Sequence, residues 1–286
     1  MPPAETRPTP AFPLGRGGAT ALGHPPLQLP PCRKRVLGAY WASRVGPAVE
    51  PQLSRHQAAK QGNDCGCNID RVFRHLDPLG DGGEAGDIEE QLWLAVLGPA
   101  APGVTELCDG VEGGALDDCP AVTLADQEKA FERMGFEWRR RVMAGWGIPR
   151  WAASVGDALV QDRSVRAMLG GRLGPERQLR RSIGMGGTDS MLEWNMGYDP
   201  IVDAVGGPVF VDDLAGLTRG PRRTLRMQYF LLAAGQTAGL RVATHVCEEI
   251  SAARVDERAI QALARLPAHC GWRGAMVLHR TTCPCG

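Results

Sequence analysis

The stretch that decides the reading of this chain is 208-PVFVDDLAGLT-218. An apolar run, Val209-Phe210-Val211, leads straight into two adjacent carboxylates, Asp212 and Asp213, and a second apolar run begins at Leu214. The pattern predicts strand, tight turn, strand, with the acids at the turn. Adjacent like charges repel, and half-burial drives one of the two pKa values up. Something has to offset that cost. Taken alone, the pair is equally compatible with an exposed Asp-rich turn or a helix N-cap.

Working upstream, 120-PAVTLADQEKAFERM-134 reads as a short buried strand, Pro120 to Ala125, that ends at Asp126 and passes into a helical pattern containing Phe131. Carboxylates from two neighbouring strand ends can meet at one edge of a sheet. Asp126, Asp212 and Asp213 then form an all-oxygen set of the kind that suits Mg²⁺. Two such ions can activate an attacking hydroxyl and stabilise a leaving phosphate oxygen. Bound metal would offset the repulsion within the Asp pair.

The remaining chain frames this cluster. Its 286 residues are 43% apolar with zero formal net charge, so a sizeable core is expected and overall charge does not point to a nucleic-acid partner. Charge is unevenly spread, however. Residues 77–118 hold eleven acids and no Lys or Arg, whereas 133–181 hold eleven Arg against four acids. The second stretch suits contact with backbone phosphates, although an Arg-rich segment can also be a solvated helix face. No apolar run is long enough to cross a membrane, and the start of the chain lacks the apolar segment of a signal peptide. Nine cysteines, an odd number, point to a reducing intracellular compartment, nuclear or cytoplasmic. Residues 1–31 read as a disordered Pro/Gly-rich leader. Helices are expected at 33–54, broken or kinked at Pro47, at 68–76 with Asn68 as N-cap, over most of the Arg-rich stretch to about 169, at 190–205 and at 221–238. Residues 98–118 read as loop, 170–190 as a turn-rich zone, and 239–246 as a strand. Trp138, Trp146 and Trp151 suit core packing better than base stacking.

At this point the sequence resembles a family, the reverse transcriptase domain of non-LTR (LINE-type) retrotransposons. LADQEKAFER is similar to the family's first catalytic motif and FVDDLAG to its aromatic-x-Asp-Asp motif. The resemblance implies that Asp126, Asp212 and Asp213 hold two Mg²⁺ ions, that the Gln127 carbonyl adds a ligand, and that Phe131 is the steric gate reading the sugar 2′ position. The segment 25-PPLQLPPCRKRVLGAYWASRVGPAVE-50 looks like the fingers, with Arg33, Lys34 and Arg35 facing the triphosphate. GMGGTDSMLEWNMGYDPIV resembles the Gln-Gly-x-Pro-x-Ser motif with its following Asp-Pro pair, and implies template-side roles for Gly186, Gly187 and Ser190. QTAGLRVATHV resembles the next motif. The likeness covers about residues 25 to 250.

There are departures. Met185 stands where the family has Gln, Thr188 where it has Pro, and Val246 near the place of a Lys, with His245 the nearby titratable group. The resemblance implies an α+β fold: a right-hand polymerase palm with an antiparallel sheet backed by helices, partial fingers at 32–119, a palm at 120–250, and a missing or reduced thumb. Residues 251–286 form a Cys/His-containing tail in which Cys270, His279, Cys283 and Cys285 could hold Zn²⁺. The implied activity is RNA-directed DNA polymerisation, with an RNA template, a DNA primer and deoxynucleoside triphosphates as partners. The alternative is a catalytically inactive remnant that binds nucleic acid weakly.

Overall fold

The computed structural model describes residues 9–13, 26–28, 32–60, 63, 65–77, 85–110, 118–161, 163–169, 172–243, 247–251 and 279–282. In chain order these form β1 (Thr9–Pro13), β2 (Pro26–Gln28), α1 (Cys32–Val49), α2 (Cys65–Leu76), α3 (Glu90–Leu97), α4 (Ala101–Asp109), β3 (Pro120–Ala125), α5 (Ala130–Arg133), α6 (Phe136–Gly145), α7 (Arg150–Val160), β4 (Ser164–Leu169), β5 (Arg172–Leu173), β6 (Arg177–Gln178), α8 (Ser190–Val205), β7 (Val209–Phe210), β8 (Asp213–Arg219), α9 (Pro221–Ala238), β9 (Glu248–Ser251) and β10 (His279–Thr282). The fold is mixed, with many helices and two small, largely antiparallel sheets. Contacts divide the chain into two units, one from 1–52 and 129–197, the other from 53–128 and 198–286. Each unit therefore draws on two separate stretches of sequence.

In the second unit the sheet order is β10-β9-β3-β8-β7. The central strand β3 pairs antiparallel with β8 from Pro120↔Arg219 to Ala125↔Leu214, and antiparallel with β9 on its other edge. A strand enclosed on both edges and both faces has no polar face to spare, which is why Pro120–Ala125 is nearly continuous in apolar residues. Its one polar residue, Thr123, is satisfied from α9 by the Gln228 amide, and Thr224 of α9 bonds Thr218 of β8. α3 and α4 pack on α9, where Trp93 is fully buried and donates to Thr105 Oγ1 at 2.9 Å. On β8, Gly216 lies against the Met227 side chain, so any Cβ there would collide with its sulfur. α2 packs against β3, β7 and β8. Its buried His75 donates from Nε2 to the Thr218 carbonyl at 2.8 Å.

In the first unit α1 packs on α7, with Trp41 Nε1 donating to the Ala152 carbonyl at 2.7 Å. Gly156 of α7 makes room for the Trp41 ring and the Arg139 guanidinium. Arg139, on α6, is buried, and bridges Asp157 at 2.6 Å and Glu193 at 2.5 Å, tying α6 to α7 and the start of α8. The strands β1, β4, β5 and β6 form the second sheet with β2 at its edge.

Several local expectations are corrected. α1 runs through Pro47 to Val49. Proline there forgoes the N–H bond to the Ser43 carbonyl, and the helix ends two residues later. The buried face of α1 is Gly38, Trp41, Val45 and Val49, while Val36, Leu37 and Tyr40 are exposed. Residues 101–109 are helical rather than loop: Pro102 falls in the first turn of α4, where a missing N–H costs nothing. Residues 164–169 form β4 rather than helix, because β1 and β6 supply ladder partners that no local pattern announces. The same pairing gives β1 and β2 their strand form within the stretch read as leader. Asn68 lies inside α2, not at its cap, and its amide donates to the Val209 carbonyl at 3.1 Å. Trp138 and Trp146 are half-buried and donate to the Gly197 and Met196 carbonyls, whereas Trp151 is 61% exposed and is not core. Residues 239–243 make a single bridge, Gln127↔Val242, not a strand. Among the described residues no helix is long and apolar enough to cross a membrane.

Candidate active site

The Asp pair lies where the sequence pattern put it, at a strand–turn–strand. β7 and β8 pair antiparallel with Phe210↔Asp213, leaving Val211 and Asp212 as a two-residue loop. Val211 has φ 61°, left-handed backbone that a β-branched side chain adopts only under strain. At the first position of such a loop glycine is the residue that fits. Strain of this kind costs about 1–3 kcal/mol. Val211→Gly is therefore expected to stabilise the metal-free protein by about 1 kcal/mol, net of glycine's own entropy cost. A lowered melting temperature in this variant would show that the Val211 side chain packs more than its backbone strains.

The β3–β8 register brings in the third acid. Ala125 faces Leu214, so the next residues along, Asp126 and Asp213, stand at facing positions at the same end of the pair. Strand alternation puts Leu124, Asp126, Asp213 and Ala215 on one face, opposite the α9 face. The three carboxylates are close enough to feel one another. Burial first, then the charges of Asp213 and Asp126, hold the Asp212 carboxyl above the ordinary carboxylate range, while a backbone N–H works the other way. Among the described residues, no three His, Cys, Asp or Glu side chains are already closed round a metal-sized space.

The backbone beyond Asp126 is pinned to the segment after α9. Ala243 N–H donates to the Asp126 carbonyl at 2.8 Å and Glu128 N–H to the Arg241 carbonyl at 2.7 Å. The Gln127 carbonyl is not used by either bond, while its buried side-chain amide donates to the Tyr198 hydroxyl at 3.1 Å. Tyr198 is a residue that the motifs did not point to. It is fully buried, its hydroxyl is held strongly in the protonated form by burial, and it feels the charges of Asp212 and Asp126. Asp199, the next residue, accepts the Ser54 N–H at 2.9 Å, and burial raises its carboxyl to about 6.

The other candidate residues fall in the first unit. Phe131 stacks on the buried Trp194, ring centroids 5.2 Å apart. Lys34 and Arg35, in the first turns of α1, share a small polar pocket with Gly184, Met185, Gly187 and Asp189. The basic cluster and the glycine loop thus meet, and Thr188 Oγ1 donates to the Arg35 carbonyl at 2.7 Å. Arg33 is exposed. Gly186 has φ 92°, and Ser190, buried, donates to the Gly184 carbonyl at 2.7 Å, closing the loop on itself. Arg163 completes the pocket. It was not singled out from sequence, since it lies remote from every motif. Its guanidinium is fixed by the Ser182 carbonyl at 2.7 Å and packs on Gly184, which has no side chain to obstruct it. Burial, and then Arg163, lower the Lys34 pKa to about 8.

The Arg-rich stretch is less available than its charge count implies. Arg139 is buried, Arg140 pairs with Glu137 and Asp157, Arg141 with Glu137, and Arg166 with Glu176. Val246, His245, Cys270, Cys283 and Cys285 lie outside the described residues, and of the tail ligands only the backbone of His279, in β10, lies within them.

No protein-family model matches the chain, and no curated protein matches it. Among solved structures it resembles an apo telomerase from Candida tropicalis truncated from its C-terminal domain, with 11% identity and a TM-score of 0.41, over 68% of this chain and 42% of that one. It also resembles a telomerase from Candida tropicalis in complex with a TWJ fragment of telomeric RNA, with 10% identity and a TM-score of 0.40, over 66% of this chain and 33% of that one. The chain therefore spans less than half the length of either structure.

Proposed function

We propose that this chain is an RNA-directed DNA polymerase domain of retroelement type, built on a right-hand palm, that joins a deoxynucleoside triphosphate to a primer 3′-hydroxyl on an RNA template. The observation that carries the reading is the facing register of Asp126 and Asp213 at one end of β3–β8, with Asp212 in the adjoining loop. Three carboxylates in that arrangement need a cation more than they need one another. Burial, with the charges of Asp213 and Asp126, raises the Asp212 carboxyl, and a bound cation would offset that cost.

The donors are of the kind Mg²⁺ takes, all oxygen, with two of them at facing strand positions, and bringing the three round one ion requires their side chains to move. When bound there, the ions supply charge that activates the attacking hydroxyl and steadies the leaving phosphate oxygen. The chain's own residues do the positioning. Asp126, Asp212 and Asp213 hold the cations. Arg33, Lys34 and Arg35 receive the triphosphate, and the Gly184–Ser190 loop beside them shapes the template side. Phe131, kept in place by its stack on Trp194, limits space at the sugar 2′ position.

One observation favours the second reading, an inactive remnant that binds nucleic acid weakly. Met185 occupies the pocket rim where the resembled motif has a hydrogen-bonding Gln, and a thioether cannot make that contact. Primer extension on an RNA template with Mg²⁺, comparing the chain with its Asp212→Ala, Asp213→Ala variant, separates the two readings.

A further inference from the structure

A cavity of about 430 Å³ lies within the second unit, between α2 and the sheet face that carries Asp126 and Asp213. Its volume falls in the range of small-molecule sites, roughly 300–1,000 Å³. α2 spans it, anchored by Asn68 on Val209 and by His75 on Thr218. Val72 of α2 also faces it, together with Ile69 and Phe73, which are 55% and 68% exposed, large apolar side chains that the fold leaves without cover. Leu124 and Phe210 line the opposite wall. Among the described residues that line it, the charged groups are the carboxylates of Asp126 and Asp213, with no Lys, Arg or His.

The chemistry of such a space selects its occupant. Apolar walls with aromatic side chains on both sides favour a flat hydrocarbon or heteroaromatic body. Two carboxylates at one end, without a cation on the lining, repel a phosphate or carboxylate ligand and attract a protonated nitrogen. Phe73 and Phe210 add ring faces that favour a delocalised cation. We propose that in the metal-free chain this cavity takes a small planar aromatic cation whose rings lie between α2 and β8 and whose charged nitrogen meets Asp126 and Asp213, in competition with any ion those carboxylates hold. The site needs neither template nor triphosphate, so it stands whether or not the chain polymerises.

The test is a fluorescence titration of the nucleic-acid-free full chain, in metal-free buffer, with 9-aminoacridine, a planar monocation at neutral pH, beside acridine, its largely neutral analogue. The expected result is saturable binding of 9-aminoacridine, with acridine weaker by tenfold or more. Asp126→Asn, Asp213→Asn should remove most of that difference by weakening the cation alone. Val72→Trp, which fills the cavity, should abolish binding of both, and Ala215→Leu serves the same purpose if Val72→Trp does not fold. Equal affinity for cation and neutral analogue would overturn the proposal, as would binding unchanged in a folded cavity-filled variant. Loss of primer extension has no bearing on either outcome.

Discussion

Replacing Arg139 by Met is expected to cost about 3–5 kcal/mol of stability, the range found when one partner of a buried ion pair is removed. Arg139 is 2% exposed and holds Asp157 and Glu193 on two separate helices. Glu193 is also buried, so without the guanidinium its carboxylate has lost the cation that makes its charge tolerable. Even with Arg139 present, burial pushes the Glu193 carboxyl up to about 7, against an ordinary value of 4.5. A raised carboxyl pKa means the folded chain holds its proton longer than the unfolded chain does. The contribution to stability is therefore full below about 4.5 and is lost as pH rises through about 7. Asp199, raised to about 6, acts in the same direction. Urea unfolding at pH 5 and pH 8 checks this. The Arg139→Met loss should be larger at pH 8, and Glu193→Gln should flatten the decline between the two pH values. A loss that is the same at both pH values would mean that Glu193 does not carry the effect.

The second large effect concerns Asp212, and its sign should reverse with metal. In metal-free buffer Asp212 is held above its ordinary range by burial and by its two acidic neighbours, so its charge opposes folding near neutral pH. Asp212→Asn should then melt higher than the parent chain near neutral pH, with the advantage fading as pH falls and both forms become neutral. Adding Mg²⁺ should stabilise the parent by mass action, about 2.7 kcal/mol when the ion is at a hundred times its dissociation constant. The variant should gain far less, because one ligand has gone and the remaining pair is less charged. Differential scanning calorimetry with and without Mg²⁺ reads both signs. Equal Mg²⁺ shifts in the two proteins would mean that the ion binds elsewhere.

The parts that read correctly from sequence are those whose signal is local. Val209–Phe210, the acidic turn and Asp213–Arg219 announce themselves by apolar runs on either side of a charge pair, and Pro120–Ala125 by a run that ends at one acid. The facing of Asp126 and Asp213 follows from those strands only once their register is known, and that depends on the pairing of residues about ninety apart. Arg139 and Glu193 were illegible for the same reason. Each looks like part of a solvated helix, and only packing turns them into a buried bridge. Arg163 beside Lys34, and Tyr198 beside Gln127, are likewise products of folding with no spacing to reveal them. The helix of 101–109 was hidden by Pro and Gly at its first turn, residues that read as loop unless their position in the helix is known.

The central claim is that the Asp126–Asp212–Asp213 cluster transfers nucleotides. Its most direct test is extension of a DNA primer on an RNA template with Mg²⁺ and deoxynucleoside triphosphates, run beside Asp212→Ala, Asp213→Ala with both proteins shown to be folded. Template-dependent extension by the parent chain is expected, with a loss of at least a thousandfold in the variant, about 4 kcal/mol of transition-state stabilisation. Extension that survives in the variant, or none from either protein at saturating metal and nucleotide, would contradict it.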